Sequence, residues 1–186
     1  MKKPLHFFAL FISMFILTSA AMPQKTVEVG GAPMYPTKNI VENAVNSKDH
    51  TTLIAAVKAA GLVETLKSDG PFTVFAPTNK AFEKLPAGTV DNLLKPENKA
   101  VLTSVLTYHV IAGKIDAATL MQWIKKNGGT YTAKTVQGGE LKFMLDKENH
   151  IWLMDEQGNK AMVTIKDVFQ KNGVIHVIDT VVMPKM

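Results

Sequence analysis

Apolar and polar positions fall into two regimes along this chain. Between Thr37 and Lys126 apolar residues recur every three or four positions or so, the period of helices with one buried face. Asn39 to Val45 reads as a short helix, with Asn46-Ser47 ending it. Asp49 is placed to cap a helix over His50–Ala60, on which Leu53, Ile54 and Val57 share a face. Gly61 suits the left-handed position that closes this helix, and Leu62–Lys67 adds a turn or two. Further helices are predicted from Thr78 or Asn79 to Leu85, from Val90 to Leu94 with Thr89 as cap, from Pro96 to about Leu106, and from Asp116 to Lys126.

Beyond Lys126 the pattern changes to short apolar blocks separated by turn residues. Candidate strands are Tyr131–Val136, Leu141–Leu145, Ile151–Met154, Ala161–Ile165, Val174–Ile178 and Val181–Met183. Gly138-Gly139, Asp146–Asn149, Glu156–Asn159 and Lys171–Gly173 carry the turn chemistry between them. Two strands interrupt the helical half. Phe72–Ala76 is apolar at nearly every position, as in a strand buried on both faces, and Pro77 stops it. Tyr108–Ile111 is the other, with Tyr108 and His109 pointing to opposite sides. Helices early and strands late give an α+β class and not alternating βαβ units.

The N-terminus stands outside this scheme. Lys2-Lys3, the apolar run Leu5–Leu17 and the small residues Thr18-Ser19-Ala20-Ala21 have the layout of a secretory signal peptide over residues 1–21. The run is shorter than the roughly twenty residues that span a bilayer. Residues 22–36, with Gly30, Gly31, Pro33 and Pro36, read as an extended arm or linker. Residues 37–186 then have the length of one domain. There is no cysteine, so packing and hydrogen bonds must hold an exported chain without disulfides.

Charge adds little. Loss of Lys2 and Lys3 with the leader lowers the formal net charge from +5 to +3. The chain has no arginine and its lysines are scattered, which argues against nucleic acid. Ser47, Ser68 and Ser104 lie outside any nucleophile elbow, and no phosphate-binding glycine loop is present. His50, His109, His150 and His176 are dispersed and the acidic turns lack the calcium-loop pattern, so no metal, cofactor or catalytic set is assigned. His176 and Asp179, three apart, face opposite sides of an extended strand. Asn172-Gly173 reads as a tight turn with positive backbone dihedrals.

Three ordered stretches carry a family resemblance: Gly70-Pro71-Phe72-Thr73-Val74-Phe75-Ala76-Pro77-Thr78-Asn79-Lys80-Ala81-Phe82, then Tyr108-His109-Val110, then Asn172-Gly173-Val174-Ile175-His176-Val177-Ile178-Asp179 running to Pro184. In this order and spacing they resemble the fasciclin (FAS1) domain, and the likeness spans about Thr37 to Pro184. The resemblance implies a wedge-shaped β-sandwich with helices packed around it, and a secreted or periplasmic module for adhesion or protein binding. The implied partner is a cell-surface, matrix or envelope protein, and a monomer is expected. Phe72, Phe75, Pro77, Asn172, Gly173, His176 and Asp179 are the structural positions of the motifs. The Tyr-His region is linked in the family to receptor binding, so Tyr108 and His109 are candidate contact residues. They also read as a core tyrosine and a histidine bracing the loop after the Phe72 strand. Thr78 and Asn79 are candidates for the same patch, or are simple helix caps. A small-ligand carrier or sensor with a cleft beside the sheet is the alternative function.

Overall fold

A computed structural model describes residues 26–185, so the leader, and with it the signal-peptide reading, lies outside the described residues. The elements run β1 (Val27–Val29), β2 (Ala32–Met34), α1 (Ile40–Ala44), α2 (Thr51–Ala60), α3 (Val63–Lys67), β3 (Phe72–Pro77), α4 (Asn79–Glu83), α5 (Thr89–Leu93), α6 (Lys99–Tyr108), β4 (Val110–Ala112) and α7 (Ala117–Lys126). Then come β5 (Thr130–Lys134), β6 (Glu140–Leu145), β7 (Ile151–Met154), β8 (Lys160–Gln170) and β9 (Gly173–Ile178). The α+β class stands.

One seven-stranded sheet, in the order β4-β3-β9-β8-β7-β6-β5, carries the architecture. All its pairs are antiparallel except β3 with β9, where Phe72 lies opposite Gly173 and Pro77 opposite Ile178. The sheet curls until its two edges nearly meet. Beyond the end of β5, the Val136 N–H donates to the Val110 carbonyl of β4 at 2.7 Å. The long strand β8 makes the bend, with register shifts on both sides of Ile165 and a left-handed Asp167 at φ 60°.

Two apolar clusters follow from this curl. Inside it Phe75, Tyr108, Ile111, Leu120, Ile124, Leu141, Phe143, Leu153 and Ile178 pack together. Outside it β1, β2, α1, α2, α4 and α6 close over the opposite face, where Val74, Ala76, Ile175 and Val177 point. Alternate residues of β3 therefore enter different cores, which explains a strand apolar on both faces.

Several expectations are corrected. The segment read as an arm contains the β1–β2 hairpin, and Val29, Ala32 and Met34 are buried in the outer cluster. Gly30 makes the hairpin turn at φ +59°, and a Cβ there would meet the Ser47 hydroxyl at 2.3 Å. Asn43 holds the hairpin's exit, accepting from the Tyr35 N–H and donating to its carbonyl. Asp49 caps nothing; it sits in a single 3₁₀ turn, and the start of α2 is capped from a distance by Asn79. Gly88, not Thr89, stands at the cap of α5. Tyr108 ends α6 and His109 follows as its cap, so the strand begins at Val110. Val181 and Val182 are buried and Met183 is half-buried, but the segment forms no strand.

Neither Asn172 nor Gly173 takes a positive φ. Lys171-Asn172 makes the β8–β9 turn, and Gly173 is required for a different reason. A Cβ on it would lie 2.1 Å from the Phe72 carbonyl oxygen, inside the parallel pairing. Gly173→Ala is therefore expected to push β3 from β9 and to cost about 3 kcal/mol or more, read as a lowered urea midpoint. A midpoint shifted by less than a quarter of that would show that the pairing tolerates the displacement.

Candidate functional site

Tyr108 and His109 sit where α6 runs into β4, and both are buried, so the expectation that they divide between inside and outside is corrected. The Tyr108 side chain is fully buried, and its hydroxyl bridges β6 and the β7–β8 turn. That hydroxyl donates to the Glu140 carbonyl at 2.6 Å and accepts from the Glu156 N–H at 3.3 Å. Desolvation is the main reason its pKa is pushed up to about 12. The Glu156, Asp155 and Glu140 carboxylates add to this, and the Glu156 N–H opposes it.

The His109 ring is enclosed. Its Nδ1–H donates to the Val105 carbonyl at 2.8 Å, and Nε2 accepts from the Val182 N–H at 3.3 Å. Burial lowers its pKa to about 4 against the opposing pull of the Val105 carbonyl and Asp155. The histidine does brace, but its ring holds the C-terminal segment at Val182. Only its backbone carbonyl reaches the Phe72 strand, accepting from the Phe75 N–H at 2.9 Å.

Thr78 caps α4, its hydroxyl accepting from the Ala81 N–H at 3.3 Å. The Asn79 amide is committed at both ends. Oδ1 accepts from the Thr52 N–H at 3.0 Å, and Nδ2 donates to the Lys48 carbonyl at 2.9 Å. The four candidates thus do not form one patch. Thr78 caps α4 and Asn79 fixes the start of α2, while Tyr108 holds β6 and the β7–β8 turn and His109 holds the C-terminal segment.

The remaining motif residues are equally committed. Asn172 accepts from the Ile40 N–H at 3.0 Å and donates to the Leu66 and Ser68 carbonyls at 2.9 and 2.7 Å. His176 donates from Nε2 to the Ile115 carbonyl at 2.9 Å and accepts at Nδ1 from the Asp167 N–H at 3.3 Å. Burial again lowers its pKa. Its ring stacks on Phe75 with 5.5 Å between centroids. Asp179 accepts from the Met162 N–H at 2.8 Å and pairs with Lys84 at 3.3 Å. His176 and Asp179 are bound elsewhere and are not an acid–base pair.

Tyr108 instead supports a feature that the sequence did not signal. Directly beside its hydroxyl, an open polar cleft of about 590 Å³ is lined by residues including Glu140, Lys142, Glu156, Gln157 and Lys185. The Glu156 carboxylate ties its walls, accepting from the Glu140 and Lys185 N–H groups at 3.1 Å each. No local motif announces this cleft, because β6, the β7–β8 turn and the C-terminal segment each supply one wall. The structure also draws together Asp146, Glu148 and His150, whose side-chain oxygen and nitrogen atoms lie within 4.8 Å of one another on the surface. The turn itself accounts for that cluster. Asp146 accepts from the Glu148 and His150 N–H groups, the His150 ring and the Trp152 indole. The Trp152 bond leads the effects that hold its carboxyl well below the usual carboxylate range.

A helix-backed, nearly closed sheet whose motif side chains are spent on holding backbone defines the FAS1 class of scaffold. The sequence profile of the Fasciclin domain matches residues 48–184, and the chain belongs to this family. It is 43% identical over 180 residues to Protein sll1483 of Synechocystis sp., covering 96% of this chain and 92% of that protein. It is 38% identical over 146 residues to the cell surface glycolipoprotein MPB83 of Mycobacterium bovis, covering 76% of this chain and 58% of that one. The fold is shared with the FAS1 domain pair of the insect cell adhesion molecule Fasciclin I, at a TM-score of 0.67 and 19% identity over 77% of this chain and 50% of that chain. Among the described residues no helix is long and apolar enough to cross a membrane.

The buried histidines have a measurable consequence. Unfolded, they take a proton near about pH 6.5; folded, they refuse it until lower pH. Stability is thus fully present above that value and declines as the pH falls toward about 4, where His109 titrates. His109 alone accounts for about 3 kcal/mol of that decline. Urea unfolding across this window is expected to show the loss, and His109→Gln to make it shallower. An unchanged slope in the variant would remove His109 from the account. Tyr108→Phe strands the Glu140 carbonyl and the Glu156 N–H and is expected to cost about 1–2 kcal/mol, measured by the same unfolding at pH 7.

Proposed function

We propose that the protein is an exported, non-catalytic module that binds a surface or envelope protein through the polar cleft beside Tyr108. Family membership supports adhesion-type binding, and the cleft is the observation that carries the reading to a place. Its rim alternates acidic and basic groups, Glu140, Lys142, Glu156 and Lys185, which suits a polar, mixed-charge segment of a partner. Tyr108 acts here as a positioning residue, because its hydroxyl sets the Glu140 and Glu156 backbone without reaching a partner itself. The motif side chains are occupied in structural bonds, which favours recognition over chemistry. The leader and the cell-surface relative support export.

A photo-crosslinking side chain placed at Lys142 or Gln157 and exposed to native envelope is expected to yield one discrete adduct. The same group at Asp91, on α5, is expected to yield none. Glu140→Lys combined with Lys142→Glu should remove the adduct formed from Gln157 while leaving the thermal midpoint within about 2 °C, as befits exposed residues. Equal labelling from all three positions, or an adduct that survives the charge reversal, would defeat the assignment of the cleft.

A further inference from the structure

The outer face of β6, β7 and β8 breaks the polar pattern of a solvated sheet. Leu141, Phe143, Leu153 and Ala161 point into the inner cluster, so their alternates face out. Strand register sets these alternates in rows. Met144 lies opposite Trp152, and Trp152 opposite Met162. In the next row Lys142 lies opposite Met154, and Met154 opposite Lys160. The four apolar side chains are half-buried, yet they belong to neither apolar cluster. Antiparallel sheets with one buried face turn polar side chains to water on the other. Tryptophan and methionine framed by charge have instead the composition of an interface centre with a polar rim.

Charge is divided by the Met144–Trp152–Met162 row. On one side stands the β6–β7 turn, where the Asp146 and Glu148 carboxylates are gathered with His150. Asp146 accepts from the Trp152 indole, which places it on this face. The Glu148 side chain is 79% exposed, and Lys147, between the two carboxylates, pairs with neither. On the other side are Lys142 and Lys160, both exposed and without an ion-pair partner among the described residues. An acidic end, an apolar centre and a basic end are together self-complementary. A two-fold axis laid along the central row, across the strands, sets each Trp152 against the other. It also brings each Lys142 over the other copy's Asp146 and Glu148. Opposite charges then meet at both ends. A partner or lipid surface of one charge sign would be attracted by one end and repelled by the other.

We propose that this face docks a second copy of the chain, with the two Met144–Trp152–Met162 rows packed together and the Lys142 end of each copy on the Asp146–Glu148 end of the other. Strands about 4.8 Å apart, rising about 3.4 Å per residue, make the patch about 20 Å on a side, or about 400 Å² on each copy. Stable complexes bury about 800 Å² per partner. The curl of the sheet bends this face outward and adds no further contact. The dimer is therefore transient, and the monomer implied by the family resemblance is its dilute form. The face adjoins the polar cleft through Lys142 and Met154. It needs no envelope partner and is tested without one.

Sedimentation of the purified exported chain is expected to show monomer at about 1 µM and dimer at about 1 mM, as suits an interface below standard size. With methyl-labelled methionine, the Met144 and Met162 signals should shift over this range, while that of Met34, buried in the outer cluster, stays fixed. Lys142→Glu with Lys160→Glu makes both ends acidic, and Glu148→Lys removes the acidic end. Each variant alone should self-associate at least about tenfold more weakly. Mixed in equal amounts, the two should associate at least about fivefold more tightly than either does alone, because opposite charges meet again. Misfolded variants could not restore one another in this way. A wild type still monomeric at about 1 mM would overturn the proposal, and vesicle cosedimentation by that monomer would give the face to lipid instead. A dimer that leaves Met144 and Met162 unshifted, or that survives both sets of substitutions, uses another surface and overturns it equally. So would mixed variants that stay apart.

Discussion

The parallel pairing of β3 with β9 joins segments roughly a hundred residues apart, and closing so long a loop must be repaid before any other contact across it can form. What repays it is concentrated at one end. Gly173 lets the two backbones approach, and Asn172 in the preceding turn ties α1, the exit of α3 and the start of β3 to that end. With this end fixed, β3 can present Val74 and Ala76 to the outer core and Phe75 to the inner one. Both cores therefore share one strand, and neither is complete without the C-terminal third of the chain.

The curl of the sheet depends on the same pairing through a second polar node. Asp167 leaves regular strand geometry in the bend of β8, gives its N–H to His176 on β9 and uses its carboxylate to accept from the Ala117 N–H at 2.7 Å. His176 reaches on to Ile115. The bulge, the central strand and the start of α7 thus become one unit. A buried imidazole suits this task because, when neutral, it donates on one side and accepts on the other. The same two-sided use recurs at His109, between Val105 and Val182. The cost is that both rings must stay unprotonated, so the fold's polar joints are also its weak points in acid.

Much of this was legible in the sequence. The α+β class and the capping role of Thr78 followed from apolar runs and turn residues that act over short distances, whereas the β-sandwich arrangement came only with the family resemblance. What was not legible depends on partners distant in sequence. Asp49 looked like the cap of α2 because it is adjacent, yet Asn79 takes the role from another element. The β1–β2 hairpin looked like a linker because its glycines and prolines are turn-formers. Its burial rests on Asn43 and on the approach of Ser47 to Gly30. Tyr108 followed the strand pattern of its apolar neighbours, but the last turn of α6 extends to include it. The polar cleft had no local signature, because its walls come from separate segments.

Burial of the Tyr-His pair alters what a loss of binding on its mutation would mean. A residue with no surface cannot contribute contact area, so any effect must pass through what it holds. Tyr108 holds the carbonyl of Glu140 and the N–H of Glu156, and the Glu156 carboxylate in turn holds the N–H of Lys185. Freeing the hydroxyl end of that chain loosens three segments around one opening without removing any of the side chains a partner would touch. Binding would then weaken through the ordering cost of the cleft and not through lost contacts. Exposed substitutions on the rim behave differently, altering charge complementarity while the scaffold stays intact. The two kinds of variant thus separate positioning from contact: Tyr108→Phe should lower stability and binding together, whereas reversal of the rim charges should lower binding alone.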